Sequence, residues 1–271
     1  MGENMKKIFI SADLEGITGV TDWCETRYGG QGYAEACRQM SLETAAACRA
    51  ALGAGYQVVV KDGHEDARNI DPHLLPRGVA LIRGWMISPM GMLGGLDESY
   101  DGVIYIGYHA RAASDASPLN HTTEDYLFHQ ISVNGTPASE FSFNSMLADE
   151  LGVPSLFLSG DRGICEEARR EYPGIHTFSV KSGIGNSTWN IHPEEAAEEI
   201  EKAVSTALMN QAALRPMQVS YKMEITFKQH QRARRASWYP GAEMEDGYTV
   251  IYTAKTPMEL AIAKMFMTEG A

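Results

Sequence analysis

Cysteine is scarce in this chain: Cys24, Cys37, Cys48 and Cys165 are the whole complement, and no two of them stand as a CxxC pair. That spacing excludes a zinc knuckle and a thioredoxin-type redox site, and such sparse thiols suit a reducing cytosol, where they serve as small buried groups. No long apolar run follows the start either. Behind Lys6 and Lys7 the run is only Ile8 to Ile10, against about 7–15 residues for a signal-peptide core and about 20 for a membrane span. A cytoplasmic protein with no membrane partner is expected. Positive charge is in deficit as well, with 23 Lys and Arg against 35 Asp and Glu and a formal net charge of −12. This argues against nucleic acid or an anionic surface as a partner. Internal repeats and low-complexity tracts are also missing.

What is present suits a globular enzyme-sized chain. The 271 residues are 44% hydrophobic, which supports a sizeable core in one large domain or two unequal ones. Ile8-Phe9-Ile10 reads as a buried strand that ends in Ser11-Ala12-Asp13-Leu14-Glu15-Gly16. Tyr33 to Ala54 is alanine-rich, lacks proline and is stopped by Gly53 and Gly55, the pattern of a long helix. Tyr56 to Val60 is a second strand, running into Lys61-Asp62-Gly63-His64. Val79 to Ile82 is a third, and Val103 to Tyr108 a fourth that runs into His109. Ser139 to Leu151 reads as a helix with Glu140 in its first turn, and Gly160-Asp161 opens another after the strand Ser155 to Leu158. Apolar strands alternating with helical segments predict a three-layer α/β/α arrangement around a mainly parallel sheet.

From about Lys181 the texture changes. Ser182 to Asn190 is rich in Gly, Ser and Asn and reads as a linker or long loop. Val219 to Phe227 alternates apolar and polar residues as a half-exposed strand does, and Thr256-Pro257-Met258-Glu259 is a capping box. The expected division is a metal-binding catalytic domain over 1–180 and a smaller α/β domain over 181–271.

Ligands of mainly parallel sheets bind outside the carboxyl ends of the strands. Three predicted strands end there in Asp13 and Glu15, in His64 and in His109. Asp13 and Glu15 lie two apart, so on a strand they share a face roughly 6–7 Å from each other, and two carboxylates held so close call for a cation. With His121 and Glu140 these residues offer the nitrogen and oxygen donors that zinc and its neighbours accept. The plainer alternative makes Asp13 a helix cap, Glu15 a solvated acid and each histidine an ordinary hydrogen-bonding residue. For His73, His129, His176, His192 and His230 that plainer alternative is preferred. Asp62 reads either as an orienting partner of a ligand histidine or as a strand-end cap. Arg232, Arg234 and Arg235 read as a solvated helix face, with a clamp for a substrate carboxylate as the other choice.

Ser11-Ala12-Asp13-Leu14-Glu15-Gly16, Val60-Lys61-Asp62-Gly63-His64, Gly107-Tyr108-His109-Ala110-Arg111, Asn120-His121 and Ser139-Glu140-Phe141, in this order, resemble the D-aminopeptidase family of binuclear zinc enzymes. The likeness covers most of residues 8–165 and is looser beyond. It implies metal ligands at Asp13, Glu15, His64, His109 and Glu140, with Asp13 as the shared bridge, and a catalytic histidine at His121. About one residue is inserted near Ser117 relative to the family's local pattern. It also implies two Zn2+ per subunit, with Mn2+ or Co2+ as alternatives, and a homo-oligomer of ten subunits. The expected activity is hydrolysis of the N-terminal residue of short peptides, with D-residues favoured. The rival expectations are a binuclear hydrolase of another amide or ester, and a non-catalytic peptide-binding protein.

Overall fold

A computed structural model describes residues 5–210 and 212–268. The elements run β1 (Lys7–Ala12), α1 (Tyr33–Gly53), β2 (Gln57–Asp62), β3 (Val79–Ile82), β4 (Gly102–Tyr108), β5 (Phe128–Val133), β6 (Thr136–Pro137), α2 (Glu140–Glu150), β7 (Ser155–Asp161), α3 (Arg162–Glu171), β8 (His176–Ile184), β9 (Ser187–Asn190), α4 (Pro193–Met209), β10 (Tyr221–Phe227), α5 (His230–Ala236), β11 (Glu243–Met244), β12 (Thr249–Ala254) and α6 (Pro257–Thr268).

Seven strands form one sheet in the order β3-β2-β1-β4-β7-β8-β9. All its pairings are parallel except β8 with β9. The central strands carry apolar side chains on both faces, as a sheet covered on both sides requires. Ile8, Ile10 and Ala12 of β1 join a core with Met40, Ala47 and Ala51 of α1 and Ile200 and Val204 of α4. Phe9, on the other face, joins Tyr105, Phe141 and Leu147 of α2 and Ile164 of α3. The result is the three-layer α/β/α arrangement. Local signals set the helix starts: the Ser139 hydroxyl accepts the Ser142 N–H at 3.2 Å, and Asp161 Oδ1 accepts the Ile164 N–H at 2.9 Å.

The second sheet is antiparallel, in the order β11-β12-β10-β5-β6. One face packs Met223, Ile225 and Phe227 against Ala233 of α5 and Leu260 and Ala263 of α6. Two features of the linear reading change here. Ser182 to Asn190 is no linker; it completes β8, turns and returns as β9, hydrogen-bonded from Lys181 with Asn190 to Ile184 with Ser187. Its polar composition follows from its place at the open edge of the sheet, where side chains such as Trp189 stay exposed. The expected division at residues 180/181 falls inside β8, and α4 beyond it packs on α1. The smaller sheet in turn draws β5 and β6 from well before that point, pairing β5 with β10 across Val133 with Met223 and Ile131 with Ile225.

The carboxyl ends of β1, β4 and β7 approach closely. Asp13 N–H donates to the Ile106 carbonyl and Gly16 N–H to the Gly107 carbonyl, both at 2.8 Å. Gly107 has φ +72°, and a Cβ there would collide with the Asp13 carbonyl oxygen and Ile17. Gly107→Ala therefore combines left-handed strain with a backbone clash. It is expected to lower the unfolding free energy by about 3 kcal/mol or more, read as the midpoint shift in urea denaturation at unchanged m-value.

Candidate metal centre

Each predicted site residue except Glu140 leaves a strand end or the loop behind it. Asp13 and Glu15 follow β1, His64 follows β2, and His109 follows β4 directly. Glu140 is the first residue of α2, where the helix N-terminus favours a carboxylate. His121 lies in the loop between β4 and β5, its N–H bonded to the Ala110 carbonyl at 3.3 Å. The structure brings all six together. His64 Nδ1 stands 3.3 Å from Asp13 Oδ1 and 3.1 Å from Glu15 Oε2. His109 Nε2 stands 3.5 Å from Asp13 Oδ2 and 3.4 Å from Glu140 Oε2. His121 Nε2 is 3.7 Å from Glu140 Oε1. The His121 ring stacks on His109 with centroids 4.1 Å apart and planes 8° from parallel, and Trp23 meets its edge at 5.2 Å. Asp13, Glu15, His64, His121 and Glu140 face one cavity of about 720 Å³, with His109 behind the stacked ring.

Over residues 5–266 the chain matches the profile of the D-aminopeptidase family. A D-aminopeptidase of Bacillus subtilis (strain 168) is 31% identical over 271 residues, covering 98% of this chain and 97% of the relative. The chain belongs to the D-aminopeptidase family. It is therefore a peptidase, a hydrolase of amide bonds. A solved structure of a zinc-dependent D-aminopeptidase from Bacillus subtilis, described as a self-compartmentalizing protease, superposes with a TM-score of 0.90 at 28% identity, over 97% of each chain.

The histidines show what this family member's site is built to hold. Each has one ring nitrogen next to a backbone carbonyl oxygen: His64 Nε2 with Thr26 at 2.7 Å, His109 Nδ1 with Ala110 at 3.0 Å, His121 Nδ1 with Leu119 at 3.0 Å. A carbonyl only accepts, so that nitrogen carries the hydrogen. In the neutral ring the other nitrogen is then a bare lone pair, and in all three it is turned toward carboxylate oxygens. Lone pairs facing lone pairs are repulsive unless a proton or a metal cation sits between them. Asp13 Oδ2, Glu15 Oε2 and His109 Nε2 are buried without any hydrogen-bond partner, which such a cation supplies. His109, His121 and Glu140 form one group with ligand atoms within 4.8 Å of one another, and Asp13, Glu15 and His109 another. The donor set fits zinc or a similar divalent ion.

Charge tells the same story. Burial, reinforced by Glu15, pushes the Asp13 carboxyl up to about 7. Burial opposes ionisation of Glu140, yet the adjacent His109 draws it down to about 2. Burial likewise opposes protonation of His109, but Glu140 and Asp13 lift it to about 10. Without a metal cation, protons on His64 and His109 are what balance these carboxylates.

Asp62 takes one of its two expected roles, and Lys181 with Glu43 escapes the linear reading. Asp62 does not touch the His64 ring. Its Oδ2 accepts the N–H groups of Asn69 at 2.6 Å and Ile70 at 2.8 Å, and its Oδ1 accepts the Asn69 amide at 2.9 Å and the His64 N–H at 3.4 Å. It shapes the loop, while the Thr26 carbonyl orients the ring. Lys181, buried in β8, donates its Nζ to the carbonyls of Glu15 and Val20; burial brings it down to about 8. Beside it Glu43, pushed up to about 7 by burial, accepts the Thr18 N–H at 3.1 Å. A lysine in a strand facing the core is the one sequence cue to this clamp. Arg232, for its part, lies over the Tyr126 ring at 5.4 Å, and Arg234 is exposed.

Lys181→Met keeps the volume and removes the donor, leaving two buried carbonyls unpaired. A loss of about 2–4 kcal/mol in unfolding free energy is expected, together with a reduced metal content by elemental analysis as the Glu15 loop loosens. Unchanged stability and metal content would rule out the clamp.

Proposed function

We propose that this chain is a zinc-dependent aminopeptidase that binds two Zn2+ per subunit and releases the N-terminal residue of short peptides, with D-residues favoured. The observation that carries the binuclear reading is the placement of Asp13. Its Oδ1 faces His64 and its Oδ2 faces His109, so it stands between one donor group completed by Glu15 and another completed by Glu140. Asp13 is then the shared ligand, Glu15 and His64 hold one ion, and His109 and Glu140 hold the other. Mn2+ or Co2+ are alternative occupants on the same donors. Zinc bound there supplies Lewis acidity toward a peptide carbonyl and toward water.

His121 is assigned outside the ligand set. Glu140 Oε1, the oxygen nearest His121, already accepts the Thr123 N–H at 2.7 Å. With its Nδ1–H fixed on the Leu119 carbonyl, His121 presents Nε2 to the cavity as a proton acceptor. From there it takes a proton from the attacking water and returns it to the leaving amine, and its imidazolium form stabilises negative charge on the carbonyl oxygen. Burial and the neighbouring His109 keep its pKa below the ordinary histidine value, which suits a base at neutral pH. A cavity of about 720 Å³ admits a short peptide. The preference for D-residues is supported by the family's activity.

The reading extends to assembly and place. The self-compartmentalizing description of the zinc-dependent relative supports a homo-oligomer, and the family resemblance supports ten subunits. Four unpaired cysteines support a cytoplasmic location, and no helix among the described residues is long and apolar enough to cross a membrane.

Two variants separate the roles. Asp13→Ala is expected to release metal and activity together, whereas His121→Ala keeps its metal and loses roughly 100-fold or more in kcat. Elemental analysis beside kinetics decides; metal loss from His121→Ala would make His121 a ligand. Chelation is expected to abolish hydrolysis of a D-aminoacyl peptide and zinc to restore it, and full activity in metal-free protein sinks the mechanism. Light scattering that found only monomer at micromolar concentration would remove the assembly from the reading.

A further inference from the structure

The cavity over the metal centre carries more acids than lysines and arginines in its wall. Besides the proposed ligands it presents Glu65, Glu124 and Asp125. Lysine and arginine contribute two cations, Arg27 and Lys264. Arg27 is matched, with its Nη2 3.0 Å from Asp125 Oδ2. Lys264 is not. Its Nζ donates to the Thr123 hydroxyl at 2.9 Å and stands over the Phe143 ring, 4.9 Å from the centroid. Among the described residues no carboxylate comes within 4.0 Å of it. Burial weakens its hold on the proton, while Glu140 and Glu124 strengthen it. An ammonium in a cavity wall that rests on a hydroxyl and a ring has an unused charge turned toward whatever enters.

Its distance from the centre is set by two hydrogen bonds in series. Lys264 reaches the Thr123 side chain, and the Thr123 N–H donates to Glu140 Oε1 at 2.7 Å. Lys264 thus stands one residue's width from a carboxylate of the centre. A peptide chain advances at most about 3.3–3.6 Å per residue. A group one residue beyond the scissile carbonyl falls in this range, and in a dipeptide that group is the free C-terminal carboxylate.

We propose that Lys264 is the specificity-determining cation that receives the C-terminal carboxylate of a dipeptide bound at the metal centre. The assignment rests on the peptidase reading above. It makes dipeptides with a free carboxylate the favoured class over the same peptides with a neutral C-terminus. The residue comes from α6, so the smaller sheet supplies the far end of the substrate site while the parallel sheet supplies the metal ligands. The charge-assisted bond lies away from the scissile bond, so its loss acts on binding more than on turnover.

The test compares D-alanyl-D-alanine with D-alanyl-D-alaninamide, which share a scissile bond and differ only in the terminal charge. On zinc-loaded wild-type enzyme the free dipeptide is expected to have at least a tenfold higher kcat/KM, carried by KM. Lys264→Met should erase that ratio, and Lys264→Arg should keep most of it. Calorimetry with the reduced-bond isostere of each peptide, which is not cleaved, should show the same preference in affinity and the same loss in Lys264→Met at unchanged zinc content. Equal losses on both peptides would make Lys264 a brace for Thr123 or a partner of the reacting oxygen, and would overturn the assignment. Equal kcat/KM for the two peptides in the wild type overturns it as well, while leaving the peptidase reading intact. If the wild type cleaves neither peptide nor any other D- or L-aminoacyl peptide, that reading and the assignment fall together.

Discussion

The fold turns on three acids drawn into one pocket. Asp13, Glu15 and Glu140 are gathered around lone pairs of His64 and His109 within about 3.1–3.5 Å. Two like charges about 4 Å apart repel by about 4 kcal/mol even at an effective dielectric constant of 20. Three such acids do not all ionise freely in one pocket: burial and Glu15 push the Asp13 carboxyl up to about 7. Protonated imidazoles offset part of the repulsion, with one ring nitrogen of each on a carbonyl oxygen and the other facing a carboxylate. A divalent ion on the proposed ligands would take over that balance, and its binding would then be linked to folding.

Holding short side chains in that pocket demands that the backbones themselves come close. Asp13 and His109 have little reach, so the ends of β1 and β4 must nearly touch. Glycine allows it: a Cβ on Gly16 or on Gly160 would meet the Tyr108 carbonyl oxygen, and one on Gly107 would meet that of Asp13. The Glu15 loop departs from the sheet at this crossing and has no ladder to hold it. Lys181 replaces the ladder by donating to the carbonyls of Glu15 and Val20, with Glu43 accepting the Thr18 N–H from the other side. A buried lysine is costly alone, and it persists here because several carboxylates surround it.

What could be read from the linear chain follows the range of each interaction. The strand ends at Asp13, His64 and His109, and the helix start at Ser139-Glu140, are written in local patterns of apolar runs, glycines and caps. The partner of the His64 ring is not. It is the carbonyl of Thr26, a group every residue carries, so no residue type announces it. Of the two readings open for Asp62, partner of that ring or strand-end cap, the structure shows the cap, through Asn69 and Ile70. The segment Ser182 to Asn190 read as a linker because an edge strand needs no apolar pattern on its open side. The membership of β5 in the smaller sheet escaped for another reason. Its partner β10 lies far along the chain, and pairing at that separation leaves no periodicity to detect.

That distant pairing ties the two sheets to one site. The loop carrying His121 runs from the carboxyl end of β4 into β5. Along the way the Thr122 hydroxyl accepts the Ala112 N–H at 3.1 Å and donates to the Ala138 carbonyl at 3.0 Å. Thr123 follows with φ +69°, a conformation a β-branched residue adopts only under constraint. The constraint is visible: its N–H is held by Glu140 and its hydroxyl by Lys264. The next anchor is the pairing of Leu127 with Lys228, through the Lys228 N–H on the Leu127 carbonyl at 2.9 Å. His121 is therefore positioned from both directions, by the parallel sheet through Ala110 and by the antiparallel sheet through β5 and α6. Thr123 thus couples the smaller sheet to Glu140, beside the direct packing of Phe143 of α2 in the core of that sheet.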